Sequence, residues 1–250
     1  RPLPALQDNY IWLLADAASR VRGVEPGEAA PGRAAADGLE LVAILLTHHH
    51  PDHIAGTAAL LERWPQAQVF APRDERTPGP CRRVADRERI DIGPWAFEAI
   101  AVPGHTRSHV AYFGEGLLFC GDTLFSLGCG RLFEGEPAEM LASLDRLAAL
   151  PGDTQVCCGH EYTLANAAFA QTLEPDNHAL AARTEAVRAL RASNVPTLPA
   201  VLGDELAANP FLRVDAIGDD RMPWPSGAAP SRNRVDRFAA LRLAKDHFHA

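Results

Sequence analysis

Seven consecutive residues, Thr47-His48-His49-His50-Pro51-Asp52-His53, hold the densest chemistry in this 250-residue chain. Histidine and carboxylate are the ligand types that suit zinc and related divalent metals. The stretch directly follows the apolar run Val42–Leu46. A loop at a strand end can gather several side chains around one point while the strand fixes the backbone. Three further pieces each lie at a strand end or a glycine-marked turn: Pro103-Gly104-His105-Thr106, Cys120-Gly121-Asp122-Thr123 and Cys157-Cys158-Gly159-His160-Glu161. Taken singly, each reads as a structural or solvated polar residue beside a glycine. In this order they form a specific pattern. A structural zinc site is closed and four-coordinate, and this constellation is too rich for one. The pattern suits a divalent metal held for chemistry rather than for structure.

The elements that must position these residues follow from hydrophobic patterning. Tyr10–Leu14 and Val42–Leu46 read as buried strands, Gly56–Trp64 as a helix and Val69–Ala71 as a strand. Trp95–Val102 alternates before Pro103-Gly104, and Leu117–Cys120 and Gln155–Cys158 are further strand candidates around a helix over Pro137–Leu150. That helix opens on proline and ends before Pro151-Gly152, both boundary signals. From Asn166 onward Leu164–Leu173, Asn177–Arg191 and Val235–Phe248 read as helices, strand signals fade, and Pro223–Pro230 reads as a loop. The expectation is an α/β domain over residues 1–165, then a smaller helical domain over residues 166–250.

Composition narrows the function classes. The net charge is −8 and the pI about 5.7, which argues against nucleic acid or anionic membrane as the main partner. No apolar run approaches the roughly 20 residues of a membrane-spanning helix. Arg1–Tyr10 has no apolar stretch of signal-peptide type. Five cysteines, an odd number with no C-x-x-C pair, point to the reducing cytoplasm rather than a disulfide framework. Adjacent Cys157 and Cys158 read as small buried strand residues. Lys245 is the only lysine, and it stands three residues after Arg242, on the same helix face.

The set H-x-H-x-D-H, G-H-T, G-D-T and G-H-E resembles the metal site of the metallo-β-lactamase superfamily. The resemblance implies an αβ/βα sandwich and two divalent metal ions per chain, zinc with iron or manganese as compatible alternatives. By the same resemblance His48, His50 and His105 bind the first metal, Asp52, His53 and His160 the second, and Asp122 bridges them; His49 points away. The closer resemblance is to glyoxalase II, hydroxyacylglutathione hydrolase. It rests on Asp8-Asn9-Tyr10, Thr47–His53, Gly121–Phe125, Gly128-Cys129-Gly130, Gly159–Thr163, Asn209-Pro210-Phe211 and Arg242–Phe248. The last two lie in the helical region that superfamily relatives such as β-lactamases lack. The chain departs from that family's usual pattern at Glu25-Pro26, where aspartate precedes the proline, at Arg131 and Phe133, where lysine and tyrosine are common, and at Ser108, a common glycine.

What the resemblance implies for function is hydrolysis of S-(2-hydroxyacyl)glutathione thioesters such as S-D-lactoylglutathione, in methylglyoxal detoxification, by a cytoplasmic monomer. Asp122 and Asp52 would orient the attacking water as catalytic residues. Arg131, Phe133, Tyr162, Arg242 and Lys245 would contact glutathione. A glutathione persulfide dioxygenase would use one redox metal, and a lactonase would lack the helical domain.

Overall fold

The computed structural model describes residues 1–16, 20–35, 38–227, 230–231 and 233–249. They divide into two compact units whose residues interleave along the chain. The first holds Arg1–Ala101, Ser108–Gly121 and Cys157–Glu161; the second holds Val102–Arg107, Asp122–Val156 and Tyr162–Ala250.

The first unit contains β1 (Pro2–Ala5), β2 (Asn9–Ala15), β3 (Arg20–Val24), α1 (Ala30–Ala35), β4 (Glu40–Leu45), α2 (Pro51–Ile54), α3 (Thr57–Arg63), β5 (Gln68–Pro72) and β6 (Arg82–Val84). Its first sheet runs β1-β2-β3-β4-β5-β6. The β1-β2-β3 pairs are antiparallel and the β3-β4-β5-β6 pairs parallel. Parallel strands are covered on both faces and therefore carry near-continuous apolar runs, which is why Glu40–Leu45 reads E-L-V-A-I-L. One face packs under α2 and α3, with Leu41, Ile44, Ile54, Leu60 and Val69 in a shared core. The antiparallel strands β7 (Arg89–Ile92), β8 (Trp95–Ala101), β9 (Val110–Gly114) and β10 (Leu117–Gly121) form a second sheet. Trp12 of β2 meets Phe119 of β10, with ring centroids 6.3 Å apart. The Tyr112 hydroxyl of β9 donates to the Leu46 carbonyl at 2.9 Å. Side chains from both sheets thus fill one layer.

The second unit contains β11 (Leu124–Phe125), β12 (Gly128–Cys129), α4 (Pro137–Ala148), most of the chain around β13 (Gln155–Cys158), α5 (Thr163–Leu173), α6 (His178–Ala192), β14 (Ala200–Val201), α7 (Leu202–Ala208) and α8 (Arg234–His247). Gln155 and Val156 pair with β14 here, while Cys157 and Cys158 belong to the first unit, where Gly159 N–H donates to the Gly121 carbonyl at 3.1 Å beside β10. Helix α5 packs on α6, α6 on α7, and α4 on α8. The helices start where capping side chains allow. Asn177 Oδ1 accepts from Ala179 and Leu180 N–H, and Asn233 Oδ1 accepts from Val235 N–H at 2.8 Å.

The strand runs and helices expected from the sequence all form, with ends displaced by a residue or two. Two differences bear on the sites. Asp52 and His53 sit on a helical turn, α2, because Pro51 occupies its first position. The helical stretch also carries a short strand, β14. Residues 228 and 229 of the expected Pro223–Pro230 loop lie outside the described residues. None of the five cysteines forms a disulfide. Among the described residues no helix is long and apolar enough to cross a membrane.

Candidate metal and ligand sites

In the first unit three carboxyl-end segments of the parallel strands converge. Glu25 follows β3, Thr47–His50 follows β4 and Asp74 follows β5. Such ends are where open α/β sheets gather functional groups. The hydrogen bonds here fix which ring nitrogen carries a proton. His53 Nδ1 lies 2.9 Å from Glu25 Oε1, and His160 Nδ1 lies 2.8 Å from Asp8 Oδ1. A carboxylate only accepts, so both Nδ1 atoms hold hydrogen and both Nε2 atoms present lone pairs. Those two Nε2 atoms stand 3.3 Å apart. Each is also 3.3 Å from Asp52 Oδ2. Three acceptors facing one point repel one another unless a cation sits among them, so the donor set fits a divalent metal.

The same logic extends to the neighbouring histidines. The Thr47 hydroxyl donates to Glu25 Oε1, and its oxygen lies 3.0 Å from His48 Nδ1. His48 therefore also presents Nε2 as a lone pair, 3.1 Å from His50 Nδ1. Glu25 Oε1 is thus the hub that orients two rings, and Asn9 Nδ2 donates to Asp52 Oδ2 at 3.1 Å. Ligating atoms of Asp52, His53 and His160 lie within 4.8 Å of one another, as do those of Glu25, His48 and His53. Gly121 has φ +49, and a Cβ there would fall 2.3 Å from Thr47 Oγ1 and 2.8 Å from Glu25 Oε1. That close approach accounts for the glycine of the G-D-T piece.

His49 turns to Asp74, with Nδ1 3.5 Å from Oδ2. The Arg76 guanidinium first, and the Ser108 hydroxyl with it, keep the Asp74 carboxyl well below its ordinary range. His109, unremarked in the sequence, stacks on His48 with centroids 4.6 Å apart and planes 17° off parallel. It is buried, as are His48, His53 and His160.

In the second unit His105 Nδ1 lies 2.9 Å from the Arg131 carbonyl, so it carries the hydrogen there. Its Nε2 faces Asp122 Oδ2 at 3.5 Å, again acceptor toward acceptor. His105 and Asp122 line a cavity of about 380 Å³ together with Arg131, Phe133, Tyr162, Arg242 and Lys245. All the residues expected from the sequence to contact ligand therefore face one space. Their freedom differs. Arg242 is buried, with Nη1 on the Cys129 carbonyl at 2.6 Å and Nη2 on Asp246 at 3.0 Å. Lys245 Nζ lies 5.9 Å and 5.8 Å from the ring centroids of Phe169 and Phe248. Burial, with Arg242 and Arg131 close by, pulls its pKa below that of an ordinary lysine. Phe133 is exposed and sits edge-on to the His105 ring at 5.2 Å.

Several contributors carry no chemical signature in the sequence. Asp8 and Asn9 act on residues far along the chain, and Phe125, Cys129, Asn166 and Phe248 line the cavity. Asp8-Asn9, Gly128-Cys129-Gly130 and Phe248 stand within the segments that carry the family resemblance, which marks them without assigning a role.

Comparison with known proteins meets this geometry from outside. Residues 12–160 match the metallo-β-lactamase superfamily, and residues 161–248 match the hydroxyacylglutathione hydrolase C-terminus. A hydroxyacylglutathione hydrolase of Xanthomonas euvesicatoria pv. vesicatoria (strain 85-10) is 52% identical over 250 residues, covering 99% of this chain and 98% of that protein. The crystal structure of the B3 metallo-β-lactamase BLEG-1 superposes with a TM-score of 0.66 at 24% identity, covering 85% of this chain and 98% of that one. TTHA1623, solved in a di-iron-bound form, superposes with a TM-score of 0.55 at 28% identity, covering 63% of this chain and 90% of that one. The fold is that of a metallo-β-lactamase followed by a helical C-terminal region, its histidines and carboxylates are arranged for a divalent metal, and the chain belongs to the hydroxyacylglutathione hydrolase family.

Proposed function

We propose that the protein hydrolyses S-(2-hydroxyacyl)glutathione thioesters, such as S-D-lactoylglutathione, to glutathione and a 2-hydroxy acid. The observation that carries this reading is the second unit's cavity, where His105 and Asp122 share one space with the cations Arg131 and Lys245. A metal-ligand pair beside positive side chains suits an anionic thioester on an acidic protein. The end-to-end likeness to a hydroxyacylglutathione hydrolase supports the same substrate.

By the assignment we favour, His48, His50 and His105 would hold one metal, Asp52, His53 and His160 would hold a second, and Asp122 would serve both. Zinc would suit this donor set, with iron or manganese compatible, and the di-iron form of TTHA1623 supports a pair. When bound, the metals supply a water of lowered pKa and polarise the thioester carbonyl. The protein's own residues do the rest. Asp8 and Glu25 hold the His160 and His53 tautomers so that Nε2 faces inward. Asp122 and Asp52 accept a hydrogen bond from the attacking water and aim it. The departing thiolate has a conjugate acid of pKa about 8.5, so no side chain need protonate it. Lys245, Arg131 and Arg242 provide positive charge for glutathione, with Tyr162 and Phe133 offering rings along the cavity.

In this reading residues 1–165 are the catalytic part and residues 166–250 the substrate-binding part of a monomeric, cytoplasmic enzyme of methylglyoxal detoxification. The test is thiol release from S-D-lactoylglutathione, with oxygen consumption on glutathione persulfide and ring opening of a lactone measured in parallel. Hydrolysis of the thioester, abolished by His160→Ala, is expected. Oxygen consumption without thioester hydrolysis, or lactone turnover alone, would replace this reading with the corresponding one.

A further inference from the structure

Two sequence motifs distant along the chain, Gly128-Cys129-Gly130 and Asn209-Pro210-Phe211, meet in the second unit, and no chemical step uses the second of them. Strands β11 and β12 form a hairpin with Leu124 opposite Cys129 and Phe125 opposite Gly128. Its turn is Ser126-Leu127, and Leu127 has φ 57. A branched side chain in that left-handed region is strained and persists only where neighbours fix the backbone.

The neighbours do fix it. Asn209 Nδ2 donates to the Phe125 and Gly128 carbonyls, both at 3.0 Å. Glu205 Oε2 accepts from Leu127 N–H at 2.7 Å and from Asn209 Nδ2 at 3.0 Å, and Glu205 Oε1 accepts from the Ser126 hydroxyl at 2.7 Å. Asn209, Glu205 and Phe211 are wholly buried. At Gly128 a Cβ would lie 2.5 Å from the Asn166 amide, so the turn packs its backbone directly on Asn166, whose Nδ2 donates to the Ser126 carbonyl at 3.0 Å. The flanks of this hairpin, Phe125 and Cys129, line the ligand cavity, and the Cys129 carbonyl receives Arg242 Nη1 at 2.6 Å. The Arg242 guanidinium in turn lies 5.1 Å from the Phe211 ring centroid. One segment therefore holds the hairpin with its first residue and backs Arg242 with its third.

We infer that Asn209-Pro210-Phe211 positions the ligand cavity, Asn209 with Glu205 locking the β11–β12 hairpin and Phe211 seating the guanidinium that the hairpin caps. Keeping Glu205 in the interior is costly, since burial pushes its pKa up against the pull of three donated hydrogen bonds and the Arg183 charge. The segment touches no reacting atom. It acts through the shape of the pocket, so it governs ligand affinity and leaves the chemical step alone.

The inference rests on the proposed glutathione-thioester reading, and the experiment separates the two. The metal-loaded full chain is titrated with S-methylglutathione, a thioether with no thioester carbonyl to attack, and kcat and KM are measured on S-D-lactoylglutathione. Asn209→Ala leaves two buried carbonyls without a donor and is expected to raise both Kd and KM about tenfold. It should hold kcat within about twofold and metal content unchanged. Asn177→Ala is the control. It removes the α6 N-cap and a bond to the Ala207 carbonyl, lowering the melting temperature while leaving Kd in place. Glu205→Gln keeps volume and is expected to raise Kd by roughly threefold, deciding the matter if Asn209→Ala does not fold. Unchanged Kd in the variants, equal rises in Asn209→Ala and Asn177→Ala, or a fall confined to kcat overturns the inference. Wild type that binds S-methylglutathione without hydrolysing the thioester refutes only the proposed activity. Wild type that does not bind it overturns both.

Discussion

Glu25 and Asp8 decide the state of the candidate metal ligands His53 and His160 more than those rings themselves do. Each accepts from a histidine Nδ1, at 2.9 Å and 2.8 Å, and so turns the other ring nitrogen into a lone pair. The role of Asp8 was not legible from local sequence, because its partner lies 152 positions away. Glu25 was marked by the family resemblance, since it stands where the family's usual aspartate orients a metal-binding histidine. The geometry shows how the longer side chain works, since Glu25 Oε1 serves Thr47 and His53 together. Removing such an outer partner typically lowers metal affinity 10–100-fold. Asp8→Ala and Glu25→Ala are each expected to weaken zinc binding by about that factor, with Glu25→Ala the larger loss because it frees two rings. Glu25→Asp should fall between wild type and alanine. A competitive chelator titration checks the series, and unchanged affinity in Asp8→Ala would return His160 to a self-oriented ring.

At the scale of elements, β4 and its histidine loop were readable because a parallel strand buried on both faces is an unbroken apolar run. β3 was not. Its sequence, R-V-R-G-V, holds two arginines, yet Arg22 is wholly buried against Asp16 and the Ile92 carbonyl. That pairing exists only once the strands are assembled. Helix α8 was readable from its period, but the unlike fates of its two cations were not. Arg242 is held by Cys129 and Asp246, whereas Lys245 has its ammonium near two aromatic rings in the cavity. Lys245→Met is expected to raise KM by roughly 10–150-fold, the equivalent of about 1.5–3 kcal/mol for a charge-assisted bond, with kcat spared. Burial first, then the charges of Arg242 and Arg131, lowers the Lys245 pKa against the opposing pull of Asp246 and Cys129. The ammonium is present at neutral pH and is lost as pH rises through that lowered value. KM should therefore climb on the alkaline side, earlier than for an ordinary lysine, and Lys245→Met should flatten the climb. Asn233→Ala, which removes the α8 N-cap, should cost about 1 kcal/mol of stability while leaving KM alone, as thermal melts and kinetics on the same sample would show.

For the whole molecule, the candidate ligands Asp52, His53 and His160 stand far apart in the sequence, so a divalent ion bound there would tie distant parts of the chain to one state. A ligand that binds only the folded form at 100 times its Kd stabilises by about 2.7 kcal/mol. For a chain of this length each kcal/mol shifts the melting temperature by roughly 2–4 °C, so chelation should lower it by about 5–11 °C. The acidic composition argued against nucleic acid, and the positive charge that the proposed substrate needs is concentrated at Arg131, Arg242 and Lys245 around one cavity. The most direct test of the account is a zinc reconstitution curve: metal-free protein is given increasing equivalents of zinc while thiol release from S-D-lactoylglutathione is recorded. The account predicts a rate that climbs to its plateau only as the second equivalent binds. In Asp122→Ala both equivalents should bind weakly. Full activity at one equivalent per chain, or two tightly held equivalents in Asp122→Ala, would contradict it.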